Sequence, residues 1–412
     1  MTPLSRTLAL ILSVSVATAS VNAQQPSIKW EVRGLTVDLN EGIDIADVNG
    51  DGTPDIIAGR NWYAGPNYTP RPLRQVNDWN GYAESNGDFA HDVDGDGLID
   101  LIAGSFLPTE VFWYRNPGKD KLARGHLWEK LLLADTGDTC NESQIFADLD
   151  GDGIPEWIVN SWKKDVPMVA WKLATIDREV EVKKGNQTVK ENRPVPTLQR
   201  CLIGVKGNGH GIAVGDLNND GRTDLMIGQG WYEGPAENPL QTAWKFHPDW
   251  DLHGSCPMLV HDINKDGRND LIVGVAHGFG LHWWEQLPAA DDGKLQWKKH
   301  LIDDRFSQPH CLHLADLTGD GTPELITGKR VYAHNGGDPG GSEPACLYYW
   351  TWDADKPVFE RHTIDEGHVG TGLQIRTADL NGDKRLDIAV AGKSGTFVLL
   401  NQGTGDSPSK SR

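Results

Sequence analysis

Cysteine and methionine are scarce in this chain of 412 residues, at five and four. Cys140, Cys201, Cys256, Cys311 and Cys346 are odd in number and irregularly spaced, and none forms a C-x-x-C pair. That excludes a zinc knuckle and a thioredoxin-like redox motif. Export would permit one or two disulfides, but a fold of this length cannot depend on so sparse a set. Past the N-terminus no apolar run is long enough to span a bilayer, so no membrane insertion is expected. Positive charge is also short. Lys and Arg number 39 against 58 Asp and Glu, a net −19, which argues against nucleic acid and anionic membrane surfaces as partners.

Turn-forming residues are plentiful. Gly 47 and Pro 23 exceed what a helical bundle tolerates and point to many short strands joined by turns. The N-terminus, MTPLSRTLALILSVSVATASVNA, carries Arg6, an apolar stretch from Leu8 to Val16, and a small-x-Ala ending. It reads as a secretory signal peptide over residues 1–23, cleaved after Ala23, and predicts a secreted or periplasmic product.

One nine-residue motif recurs seven times, at spacings of 45, 56, 68, 46, 54 and 63 residues. It reads DVNGDGTPD from Asp47, DVDGDGLID from Asp92, DLDGDGIPE from Asp148, DLNNDGRTD from Asp216, DINKDGRND from Asp262, DLTGDGTPE from Asp316 and DLNGDKRLD from Asp379. Oxygen-bearing side chains fall at positions one, three, five and nine. In the first three loops they are Asp47, Asn49, Asp51 and Asp55; Asp92, Asp94, Asp96 and Asp100; Asp148, Asp150, Asp152 and Glu156. In the next two they are Asp216, Asn218, Asp220 and Asp224; Asp262, Asn264, Asp266 and Asp270. In the last two they are Asp316, Thr318, Asp320 and Glu324; Asp379, Asn381, Asp383 and Asp387.

Hard cations such as calcium take six to eight oxygens, and a Gly at position six permits the sharp turn that brings alternate carboxylates to one centre. An EF-hand would need Glu at position twelve and flanking helices. Here the acid is at position nine and strand-like runs follow at once, IIAG after Asp55 and LIVG after Asp270. The loops gather 23 of the 58 acids, a concentration that calls for counter-ions. Several structural calcium ions are therefore expected. Thr318 and Lys384 depart from the pattern and predict weaker or empty sixth and seventh sites.

Around each loop runs the same layout: a short strand in, an apolar strand out, an aromatic third strand such as VFWYRN (111–116) or LHWWEQ (281–286), and a fourth such as WEKLLLAD from Trp128. Four strands in each of seven repeats describe an all-β, seven-bladed β-propeller. WEVRGLTVD from Trp30 precedes the first loop, and the last repeat supplies only three strands, so the N-terminal strand is expected to close the ring as the missing fourth. The domain should run over 24–402, with a charged hairpin insertion at 173–200 turning at Gly185-Asn186, a Gly/Pro-rich flexible loop at 333–346 and a disordered tail at 403–412. With WYAGP (62–66) and WYEGP (231–235), the loops resemble the FG-GAP/VCBS repeat family, the integrin-like propellers, over residues 28–402. The resemblance implies calcium in the loops and an extracellular setting. It leaves the function open among adhesion modules, lectins and sugar-processing enzymes.

Since the Asp loops join strands one and two, the entry to strand one and the exit from strand two lie on the opposite face. Six residues before each first Asp come Glu41, Asn86, Glu142, His210, Cys256, His310 and Leu373; at the exits come Arg60, Ser105, Trp162, Gln229, His277, Lys329 and Lys393. His253, His368 and Arg376 lie close in sequence, and Tyr63 and Tyr232 follow second strands. Convergent polar groups in a funnel are the signature of a binding site, and Trp62, Trp162 and Trp231 offer flat rings for sugar faces. The structural alternatives are that Glu41 and Glu142 bind between blades and that Arg60, Lys329 and Lys393 merely pair with them.

Two functions follow. One is a polysaccharide lyase or sugar dehydratase acting by β-elimination on carbohydrate, acidic polysaccharide included. His210 or His310 would be its base and Tyr63 or Tyr232 its acid. Arg60, Lys329 or a further divalent metal held by His residues would stabilise the anion. The other is a lectin or adhesion module using the same mouth without chemistry. Oligomeric state is not legible.

Overall fold

The computed structural model describes residues 27–405 except Lys164, Asn208 and Gly254. The expected leader lies outside the described residues, as do 406–412 of the expected tail.

Over the described residues the polypeptide is all-β and is built of seven four-stranded antiparallel sheets plus one two-stranded hairpin. Six sheets take four strands in chain order; sheet two, for example, is Gly87–His91, Asp100–Gly104, Glu110–Arg115 and Glu129–Asp135. In the seventh, Ile28–Thr36 pairs with the C-terminal strand Gly395–Thr404, register Val32 to Leu399. That strand continues two residues past the expected boundary at Gln402. The expected hairpin at 173–200 forms the ends of two long strands, Met168–Lys184 and Gln187–Gly204, with Lys184 opposite Gln187.

Second strands are the apolar heart of each sheet. Asp100–Gly104 and Asp270–Gly274 are buried at every position, as uninterrupted runs such as DLIAG demand when both faces are covered. Hydrophobic clusters lie between sheets: Trp113 and Leu133 of sheet two pack with Trp157 and Trp171 of sheet three. The first strand of each sheet touches that of the next, and Ile375–Ala378 of the seventh touches Asp44–Ala46 of the first.

A repeated side-chain device stitches neighbours together. Asn116 Nδ2 donates to Val48 O of sheet one and Ile99 O of its own loop, both at 2.9 Å. Gln286 Nε2 does the same to Leu217 O and Asn269 O, and Asn401 Nδ2 to Leu317 O and Leu386 O.

Candidate functional site

In every Asp loop the first Asp accepts backbone N–H groups from the turn that follows it, as Asp47 does from Asp51 and Gly52 at 3.0 and 2.8 Å. Position six has φ between +83° and +86° in six loops, at Gly52, Gly97, Gly153, Gly221, Gly267 and Gly321. Lys384 holds the equivalent turn at φ 70° and still donates to Asp379 at 2.8 Å. The ninth acid ties loop to sheet, since Asp55 accepts from both Val48 N–H and Gly65 N–H. Burial pushes this group upward, to about 6 in Asp55, Asp224 and Asp270 and to about 7 in Asp100 and Glu324.

Carboxylates converge within 4.8 Å in Asp92, Asp94 and Asp96, and in Asp148, Asp150 and Glu156. Asn49 Oδ1 and Asp94 Oδ1 are buried without a hydrogen-bond partner. These and other loops also draw on the chain's own cations, Arg115 Nη2 lying 2.7 Å from Asp94 and 3.1 Å from Asp96. Lys172 Nζ lies 2.5 Å from Asp150, 2.6 Å from Asp152 and 3.4 Å from Glu156, while Arg222, Arg268 and Arg385 pair with Asp220, Asp266 and Asp383.

On the opposite ends of the inner strands, the entry and exit residues build a buried polar cluster. Arg330 is its hub. Its guanidinium donates Nε to Glu41 Oε1 at 2.6 Å and Nη2 to Glu41 Oε2 at 2.8 Å; Nη1 donates to Glu142 Oε1 at 2.6 Å and His310 Nε2 at 2.8 Å. Lys393 Nζ lies 3.7 Å from Glu41 and 4.0 Å from the Tyr82 ring centre. Trp162 Nε1 donates to Glu142 Oε2 at 2.6 Å.

Three imidazoles complete the cluster. His210 stacks on His310 with centroids 4.3 Å apart, and His210 Nε2 meets His277 Nε2 at 3.0 Å. One nitrogen of each of the three lies within 4.8 Å of the others. His277 Nδ1 faces Asp338 Oδ2 at 2.9 Å.

Electrostatics follow from burial. Desolvation would raise Glu142, but Arg330 and then His210 hold it at about 2; Glu41 is held low by Arg330 and Lys393 against the same penalty. Burial takes His210 down to about 3, His310 well below the ordinary imidazole range and His277 lower too, so all three are neutral at pH 7. Burial also lowers the Lys393 ammonium and raises the Tyr82 phenol.

The structure thus brings Glu41, Glu142, His210, His277, His310, Trp162 and Lys393 together. Several expected members lie elsewhere. Tyr63 and Tyr232 are buried within the sheets, the latter exchanging hydrogen bonds with the Lys206 backbone. Both sit on third strands, which run outward from the axis, so neither is placed to donate a proton in the funnel. Trp62 and Trp231 are core for the same reason; Trp231 stacks on His247 at 4.2 Å. Arg60 pairs with Asp38 and Asp78.

Lys329 bonds to the carbonyls of Gly340 and Glu343. Alternation along the strand sends Lys329 to that loop and its neighbour Arg330 to the axis. His368 is exposed against Asp365. His253 is an exposed rim residue, 6.2 Å from Trp162 between ring centres. Arg376 lies further along the axis on Asp44, beside a cavity of about 410 Å³. Asn86 is buried and Gln229 half-buried at their strand ends.

Sequence reading missed Arg330, Tyr82 and Asp338. Arg330 was one residue past the strand end counted. Tyr82 and Asp338 sit in segments between the repeats, where the motif offers no register. Tyr82 belongs to the hairpin Asp78–Trp79/Tyr82–Ala83, whose Trp79 meets Tyr82 at 5.5 Å and Phe106 at 5.7 Å.

The FG-GAP-like repeat family matches residues 92–159 and 262–327, and the FG-GAP repeat matches 208–236. No curated protein sequence matches the chain. Among solved structures, an Agrocybe aegerita lectin that recognises non-reducing terminal N-acetylglucosamine has TM-score 0.46 and 16% identity, covering 87% of this chain and 86% of that one. BBS1N in complex with ARL6DN has TM-score 0.49 and 11% identity over 95% and 99%. The V. cholerae biofilm matrix protein Bap1 has TM-score 0.35 and 13% identity over 97% and 91%. With matched segments spanning loops two to six and the same Asp loop repeated in every sheet, the chain belongs to the FG-GAP repeat family.

Proposed function

We propose that this is a secreted seven-bladed propeller with calcium in its Asp loops, and that its axial funnel acts on acidic carbohydrate by β-elimination. The observation that carries the reading is the collection of acid–base groups in one funnel, flanked by the half-exposed rings of Trp79, Tyr82, Phe106 and Trp162. Elimination needs a proton acceptor, a donor for the leaving oxygen and a stabiliser for the intervening anion. His210 and His310 are buried and each Nε2 is engaged, so neither presents a nitrogen to a substrate.

Lys393, whose charged form burial disfavours, is assigned, as the neutral amine, to accept the proton beside the sugar carboxylate. As that C–H bond breaks, its electron pair becomes the new C=C bond and the C–O bond to the leaving group opens. Tyr82, which burial keeps protonated, supplies the proton to the departing oxygen. The imidazole cluster faces the developing anion.

Calcium suits loop one best, where Asn49 Oδ1 lacks a hydrogen-bond partner; loop two already has Arg115 on Asp94 and Asp96, and loop three has Lys172. The loops would be held rigid by the ion, with no part in the chemistry.

The test is ultraviolet absorbance during incubation with acidic polysaccharides in calcium. A rise reports the conjugated double bond, and Lys393→Met and Tyr82→Phe should abolish it. A flat trace across the panel rejects elimination. One observation favours a second reading as a lectin: Glu41, Glu142 and Arg330 satisfy one another, leaving the aromatic rings as free surface. Saturable glycan binding without turnover would select it.

A further inference from the structure

We infer that His210, His277 and His310 bind one divalent transition metal of the zinc type, with Asp338 as the carboxylate that orients His277. The inference rests on the funnel being the functional face, but not on elimination being its chemistry. The three residues come from sheets four, five and six, and the ring places their nitrogens within 4.8 Å of one another. Ligands of a tetrahedral zinc at about 2.1 Å lie roughly 3.4 Å apart, close to the 3.0 Å between His210 Nε2 and His277 Nε2.

The tautomer of His277 agrees with ligation. Asp338 accepts a hydrogen bond from His277 Nδ1–H, which turns the Nε2 lone pair inward, the carboxylate–histidine–metal arrangement of many zinc centres. His310 offers a buried Nδ1 with no hydrogen-bond partner. When that nitrogen ligates, its proton moves to Nε2, the Arg330 Nη1–H bond to Nε2 is given up, and Arg330 keeps its bonds to Glu142 and Glu41.

Three neutral imidazoles select a borderline metal over calcium or magnesium, which separates this centre from the all-oxygen Asp loops. Three protein ligands leave a fourth position for water or a substrate oxygen.

Asp338 arrives on the segment that follows Arg330. Tyr332, His334 and Asn335 there have φ of 61°, 45° and 55°, a left-handed run that L-residues keep only when anchored. The anchors are Lys329 on the carbonyls of Gly340 and Glu343, and Asp338 on His277. The loop thus couples its own ordering to the ligand geometry of the centre.

The experiment uses the full chain, stripped with chelator and returned to calcium, then titrated with cobalt(II) while visible absorbance is followed. One equivalent should develop the spectrum of tetrahedral, nitrogen-ligated cobalt, and zinc should displace it. His277→Ala should remove the signal. Asp338→Asn should weaken zinc binding by about 10–100-fold with an unchanged melting temperature in calcium. A featureless titration of the parent, or equal zinc affinity in parent and His277→Ala, overturns the site. Loss of the signal in His334→Ala but retention in His310→Gln would move the ion outward to His277, His334 and Asp338 and overturn it too. Cobalt binding without turnover of any sugar acid leaves the metal site standing and removes elimination. Turnover by a protein that binds no cobalt does the reverse.

Discussion

Arg330 is the most constrained residue of the cluster, because one guanidinium serves two buried carboxylates. Arg330→Met would leave Glu142 without its cation and Glu41 with Lys393 alone, and cost about 3–5 kcal/mol, read by denaturant unfolding. Arg330→Lys should recover little, since an ammonium cannot match the two-pronged bond to Glu41. Acid sensitivity follows from the same contact. Glu142 sits at about 2 when folded against an ordinary 4.5. The stability it contributes is complete above the ordinary value and is lost as pH falls from there toward 2. Glu142→Gln should flatten that stretch of the stability–pH curve; an identical curve would remove the pairing from the stability account. At this scale the sequence was only half legible. Strand-entry positions announced Glu41, Glu142, His210 and His310, since their offset from each Asp motif is fixed. Arg330 and Lys329 differ by one position, and a single step along a strand reverses the side chain.

The Asp loop is the element on which every sheet turns, and it was legible in full because its spacing and its glycines are local properties. Inequality among copies was read only from the departures at Thr318 and Lys384; the rest escaped because the cations that enter the loops come from distant strands. Lys172 is 22 residues from Asp150 in sequence and 2.5 Å from it in space. Chelation should lower the melting temperature of the parent, and Lys172→Met should deepen its dependence on calcium, since Asp150, Asp152 and Glu156 would then face one another bare. Calcium titrations of the melting curve test both; a variant no more calcium-dependent than the parent removes Lys172 as a stand-in. The seventh loop offers a gain. Lys384 holds a left-handed turn that costs an L-residue about 1–2 kcal/mol, so Lys384→Gly should stabilise by about 1 kcal/mol in thermal or urea unfolding. Third strands defeated sequence reading for a related reason. WYAGP and WYEGP look like rim motifs, yet their Trp and Tyr rings fill the space between sheets, where large aromatic surfaces are most needed.

Across the whole molecule, the repeat count, the four strands per repeat and the use of the N-terminal strand were all readable, since each rests on periodicity. What was not readable is how the segments between repeats, the hairpin at 78–83 and the loop bearing Asp338, fold back over the axis. Deleting residues 27–37 should strip the outer strand from the seventh sheet, expose Val398 and Leu400 and abolish cooperative unfolding. Retention of the parental transition by the truncated chain would show the strand to be dispensable. The pairing of Ile28–Thr36 with Gly395–Thr404 also sets a clock. Ile28–Thr36 completes a sheet whose other three strands are the last of the described strands to be made, its own partner some 360 residues later. At about 5–20 residues per second that wait is roughly 20–70 s. Throughout it the seventh sheet cannot exist and the early strand is an open edge, available to any other unfinished chain nearby.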